Sequence, residues 1–193
     1  MNPSRLTVAA SATAVLLLVM VGCDSDDANA DPESAPSSPV ETKRKPKPTP
    51  TLSPDEREVL SAYRRYVKIE ERALLAGKLE AMRGIGQVAG GNAVYELRRS
   101  ILDAQRYAER YVGRVQRSPK VQMVDQKTST ATIVDCFDVS DTKIINVRTG
   151  KPKKLLDPEG NPAPRRYRAT IHLERHSDRW LVVGVKPHQE QPC

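Results

Sequence analysis

Apolar positions recur at helical spacing in the first part of the chain and at strand spacing in the second. Val59, Tyr63, Tyr66, Val67 and Leu74 fall on one helix face, because positions three, four and seven apart lie together on a 3.6-residue repeat. Ser53, Pro54 and Glu56 open that helix as cap, first-turn proline and capping-box partner, and Gly77 closes it. The same spacing predicts a second helix from Asn92 to about Tyr111, with Leu97, Ile101, Ala104 and Ala108 on one face. After Gly113 the period shortens to two. Val121 and Met123 mark one strand, Ala131, Ile133 and Phe137 another, and Ile144 to Val147 a short third. Tyr167, Ala169, Ile171 and Leu173 alternate with polar residues, and Leu181, Val183 and Val185 repeat the pattern after the turn His176-Ser177-Asp178-Arg179. Helices followed by an antiparallel sheet predict one α+β domain over residues 55–193, and no internal repeat interrupts it.

This order resembles the NTF2-like fold, through the "VLSAYRRYV" helix, the "TATIVDCFDV" strand and the closing "DRWLVVGV" strand with Trp180. The resemblance implies a cone, with N-terminal helices packed on a curved antiparallel sheet. These motifs are architectural and contain no catalytic signature. Enzymes of this fold keep an acid, a base or a tyrosine inside the cone. Tyr63, Tyr66, Tyr107, Tyr111 and Asp135 are the residues here that could face such a cavity. The alternative is that they are core tyrosines and a strand-edge carboxylate.

The N-terminus changes the setting. Arg5 precedes an apolar or small run from Val8 to Val21. As a helix this run would span about 21 Å, short of the roughly 30 Å hydrocarbon core of a bilayer. A basic start and a short apolar centre are the marks of an export signal. "VMVGC" resembles the lipobox of bacterial lipoproteins, with Met20 where Leu is usual. That resemblance implies a signal peptide over 1–22, a diacylglyceryl group on Cys23 and cleavage that makes Cys23 the first residue of a membrane-anchored, extracytoplasmic protein. The alternative is an ordinary signal peptide with an incidental cysteine. Asp24 after the cysteine resembles an inner-membrane retention signal of bacteria with two membranes. Residues 24–54 hold seven of the fifteen prolines and no aromatic residue, a composition that cannot bury enough surface to fold. Residues 23–54 therefore read as a lipid-anchored, disordered tether, reaching about 30 Å as a coil and about 90 Å fully extended.

With Cys23 lipidated, Cys136 and Cys193 remain. An exported protein sits where disulfides persist, so these two are expected to pair; the alternative is two independent thiols. The chain is also similar to small actinobacterial lipoproteins of this fold, which carry a cysteine in the same middle strand and another at the C-terminus.

Charge and the remaining motifs narrow the function. Residues 55–193 carry 26 basic and 18 acidic side chains, a net charge of +8. Lys151, Lys153, Lys154, Arg165, Arg166 and Arg168 flank one proline-rich segment, with Leu155 and Leu156 between them. They form a candidate contact for anionic lipid or acidic wall polymer, against the plainer reading of a solvated loop. Nucleic acid is a poor partner for an exported chain with 4% aromatic residues. "GIGQVAGG" over Gly84–Gly91 lacks the preceding strand that a dinucleotide site needs and reads as a flexible connection. His172, Glu174 and His176 alternate on one strand face. Residues four apart on a strand lie about 13 Å apart, too far for one metal ion without a bend, so they read as a solvated outer face. No cofactor, metal or catalytic set is expected. The expected function is a non-catalytic interaction or accessory domain with an envelope protein partner. The alternative is a small-ligand-binding protein, isomerase or hydrolase using the cone cavity, which would require an open cavity with convergent polar groups.

Overall fold

The computed structural model describes residues 51–157 and 160–193. The expected export signal, the expected lipidation position Cys23 and nearly all of the expected tether lie outside them. Pro48–Cys193 is a compact unit whose core and disulfide are its own, and among the described residues no helix is long and apolar enough to cross a membrane.

Helix α1 (Pro54–Ala76) begins as the sequence predicts. Ser53 Oγ accepts from the Glu56 amide at 3.2 Å, and the Glu56 carboxylate accepts from the Ser53 amide at 2.7 Å. Gly77 ends the helix in the left-handed region. Two short 3-10 turns, Leu79–Met82 and Ile85–Gln87, reverse the chain. Arg72 donates to the Ala81 and Arg83 carbonyls and ties the first turn to α1. The Gly-rich segment is docked rather than loose. The Gly90 amide donates to the Val182 carbonyl, and the Val182 amide to that of Val88.

Helix α2 (Gly91–Arg106) is shorter than its periodicity suggests. Ala108 takes φ +52°, which stops the helix, and the next residues leave as strand β1 (Glu109–Val112). Tyr111 is therefore a strand residue, and Tyr107 is mostly exposed at the helix end. Strand β1 pairs with β5 (Lys143–Asn146) in a small two-stranded sheet. The main sheet has the order β2 (Gln116–Arg117), β4 (Thr130–Asp138), β6 (Arg166–His176), β7 (Arg179–His188). Strand β3 (Lys120–Asp125) shares the β2 edge of β4, and every pairing is antiparallel. This is the expected α+β class, with the N-terminal helices packed on a curved antiparallel sheet.

Ala131, Ile133, Asp135 and Phe137 on β4 alternate inward with Ala169, Ile171 and Leu173 on β6. They meet Val59, Tyr63 and Tyr66 from α1 and Val88, Ala89 and Ala93 from the turn and α2. Two β-bulges alter the expected faces. One lies between Val121 and Met123, so Val121 faces the core opposite Ile133 while Met123 sits half-exposed opposite Thr132. The other lies where His172 pairs Gly184 and Leu173 pairs Val182. It buries Val182 and Trp180 fully, whereas plain alternation selects Leu181 and Val183.

Cys136 and Cys193 form a disulfide, with Cα atoms 5.8 Å apart. The bond draws the C-terminal tail across the outer side of β4 and β6, where the Arg168 amide donates to the Gln191 carbonyl.

Candidate functional site

The one fully buried charged side chain among the described residues is Asp135. Period-two alternation on β4 sends it to the same side as Ile133 and Phe137, and α1 supplies its partner. Tyr63 Oη donates to Asp135 Oδ2 at 2.7 Å, and the Ser118 amide donates to Oδ1 at 2.7 Å. Arg117, on the two-residue strand β2, reaches under α1. Its Nη1 donates to Tyr63 Oη at 2.7 Å and its Nη2 to Glu70 Oε2. The guanidinium lies over the Phe137 ring, 4.1 Å from the centroid. Tyr66 Oη donates to the other Glu70 oxygen at 3.1 Å.

Two carboxylates thus share one guanidinium in a mostly apolar surrounding. Burial pushes Glu70 and Asp135 above the usual carboxylate range, against the pull of Arg117 and the tyrosine hydrogen bonds. Burial alone would lower Arg117, but Glu70, Tyr63 and Asp135 outweigh it and hold the guanidinium above its ordinary value. Burial likewise drives the Tyr63 and Tyr66 phenols upward, so both stay protonated at neutral pH. Each carboxylate oxygen already accepts a hydrogen bond. The network is suited to fixing α1 on the sheet, and neither carboxylate is poised as a free base.

Glu70 and Arg117 of this network form the floor of a pocket of 340 Å³, among apolar neighbours. Val67, Leu74 and Leu75 of α1 form one wall. Val115, Val139 and Ile144 continue it, with Tyr111 from β1 and Tyr167 from β6. The remaining wall is the proline-rich excursion between β5 and β6. That segment is stitched to the domain by backbone bonds from Asn146 to Lys151, Lys153 to Ile144 and Ala163 to Leu155. Leu155 and Leu156 both line the pocket; Leu155 is half-buried and Leu156 is 56% exposed. A second cavity, of 570 Å³, opens between α1, α2 and β7, and Glu70 and Leu74 border both spaces.

The structure brings Tyr63, Tyr66 and Asp135 together, while Tyr107 lies outside the cluster and Tyr111 lines the pocket wall. Glu70 and Arg117 are residues of this candidate site that the sequence analysis does not single out. Glu70 had a signal: it lies seven residues after Tyr63 and four after Tyr66, a carboxylate on an apolar helix face. Arg117 had none, since a two-residue strand before Pro119 shows no period.

The six cations flanking the excursion do not share one environment. Lys153 pairs with Glu109 at 2.9 Å and Arg166 with Asp138 at 3.3 Å. Arg165 donates to the Thr142 carbonyl at 3.4 Å. Lys151, Lys154 and Arg168 have no ion-pair partner among the described residues, and Arg168 lies on the sheet's outer side with Arg166. His172, Glu174 and His176 are exposed, with His176 Nε2 3.3 Å from the Glu174 carboxylate. Among the described residues no His, Cys, Asp or Glu group could hold a metal ion.

No protein-family profile matches the chain, and no curated protein matches it. Among solved structures it is similar to the intermembrane space region of the chloroplast protein ARC6, at 12% identity and a TM-score of 0.49, covering 72% of this chain and 98% of that one. It is also similar to a Nostoc punctiforme domain of unknown function with a cystatin-like fold, at 12% identity and a TM-score of 0.40, over 72% and 79% of the two chains. An NTF-2 like protein of unknown function from Shewanella oneidensis aligns at 15% identity and a TM-score of 0.33, over 66% and 97%.

Proposed function

We propose that this is a lipid-anchored, extracytoplasmic protein whose domain acts by binding and not by catalysis. The pocket is its working surface, and it takes a small ligand with an apolar part. The observation that carries this reading is the pairing of apolar walls with a charged floor whose groups already satisfy one another. A volume of 340 Å³ lies at the lower end of the roughly 300–1,000 Å³ of small-molecule sites. An apolar group entering it meets Val67, Leu74, Val115 and Ile144 and leaves Arg117 and Glu70 in their pair. The anchor at Cys23 and the spacer after it would keep this surface within reach of the envelope, and cations with no ion-pair partner among the described residues, such as Lys151 and Lys154, favour anionic lipid or wall polymer as its surroundings.

Two measurements test the reading. An uncharged, environment-sensitive fluorophore titrated into residues 48–193 should brighten and saturate, and Leu155→Asp should abolish that signal with little change in thermal midpoint. Absence of binding to the unaltered domain would remove the pocket reading. In the full chain, Cys23→Ser should prevent incorporation of labelled fatty acid; normal labelling would remove the anchor.

A further inference from the structure

The pocket mouth is apolar, and cations adjoin it. Leu75, Val112 and Leu156 line the pocket and are each between 38% and 56% exposed, so apolar surface continues from the interior to solvent. The acids lining the cavity are already neutralised: Glu70 by Arg117, and Glu71 by Arg114 at 3.3 Å. Lys143 also lines the cavity, paired across the small sheet with Val112, and has no ion-pair partner among the described residues. Two further cations adjoin lining residues. Lys154 immediately precedes Leu155, and Arg165 follows Pro164 with its guanidinium on the carbonyl of Thr142, itself a lining residue. The site therefore runs from an apolar interior to a cationic edge.

Resting on the pocket reading above, we propose that the ligand is a single-chain anionic amphiphile, its chain between α1 and the excursion and its head group at Lys143, Lys154 and Arg165. An acidic polymer lacks the apolar part that the walls would bury. A cationic amphiphile would set its charge against three like charges. The chemistry shared by a fatty acid and a phosphate-headed lipid, one chain and one anionic head, fits both ends of the site.

The test displaces the uncharged fluorophore from residues 48–193 with ten-carbon ligands that differ only in the head: decanoate, decyl phosphate, decanol and decyltrimethylammonium, with inorganic phosphate as a charge-only control. Decanoate or decyl phosphate should bind at least about tenfold more tightly than decanol at low salt, and the preference should shrink at about 0.5 M salt. A preference between the two anions would identify the head-group source. Lys143→Ser, Lys154→Ser and Arg165→Ser together should erase the preference over decanol while decanol still displaces the probe from the folded variant. Leu155→Asp should weaken all the ten-carbon ligands. Equal binding of decanol and the anions, or a cationic ligand that binds best, would overturn the anionic head and leave the pocket reading standing. Displacement by phosphate alone as strong as by decyl phosphate would overturn the chain. If the probe binds and none of these ligands displaces it, the amphiphile falls and the pocket reading stands; if the probe itself does not bind, both fall.

Discussion

Tyr63 is the junction of the buried network. Its hydroxyl donates to Asp135 and accepts from Arg117, so Tyr63→Phe removes two hydrogen bonds and leaves a buried acceptor and a buried donor unpaired. A loss of about 1–3 kcal/mol is expected for such a group. Tyr66→Phe removes a single bond to Glu70 and should cost less; urea denaturation of the two variants checks the order. The two carboxylates also set a pH dependence. Both sit above the ordinary range, burial first among the causes, so the folded chain holds protons that the unfolded chain has released. Their contribution to stability is full below the unfolded value of about 4 and is lost as pH rises through the raised folded value. Glu56, Asp125 and Asp138 are lowered by hydrogen bonds and act in the opposite sense, so the comparison must be with a variant. In Glu70→Gln the amide oxygen can accept from Arg117 and the amide nitrogen can donate to Tyr66 Oη. Its stability should therefore fall less between acid and neutral pH than that of the unaltered protein. An identical pH slope would mean that Glu70 does not titrate in this window. At this scale the sequence was partly legible. Asp135 shares the parity of Ile133 and Phe137, and Glu70 shares the helix face of Tyr63 and Tyr66, but nothing in the string shows that Arg117 joins them across 47 residues.

Elements were legible wherever one period ran unbroken. Helix α1 carries every signal that its length requires, and β4 and β6 alternate cleanly. The misreadings have local causes. Ala108 at positive φ ends α2 early although alanine favours helix, because Glu109–Val112 gains a partner in β5. Each bulge adds one residue on one strand and reverses the faces beyond it, which alternation cannot register. The close approach of β1 to the β4–β5 connection gives a sharp prediction. Gly113 has φ +85°, and a Cβ there would lie 1.9 Å from the Asp141 carbonyl oxygen. Gly113→Ala should therefore cost more than about 2 kcal/mol. Gly150, with φ +69° but nothing within 4 Å of its Cβ position, should tolerate alanine at about 1 kcal/mol. Thermal unfolding of the two variants separates collision from backbone strain alone.

For the molecule as a whole, the disulfide is a covalent constraint, joining residues 57 apart in sequence. Mass spectrometry of non-reduced protein should show a peptide linking Cys136 to Cys193, and reduction should remove about 4 kcal/mol of chain-entropy stabilisation without abolishing the fold, since the core lies on the other side of β4. The same bond has a mechanical meaning. Between its two cysteines lie β5, the excursion, β6 and β7, so this half of the domain is a covalent ring, while α1, α2 and strands β1 to β3 lie on an open line. Load applied through the ends of residues 48–193 passes from Cys136 directly to Cys193. Only the open line can be drawn out; the ring is shielded from tension however far the rest extends. Stretched singly, the oxidised domain should release a contour about 200 Å shorter than the reduced one. If the two contours are equal, the bond does not carry the force. The pocket straddles this division. Its excursion wall belongs to the ring and its α1 wall to the line, so tension would part the two walls before it disturbed the strands that hold the excursion in place.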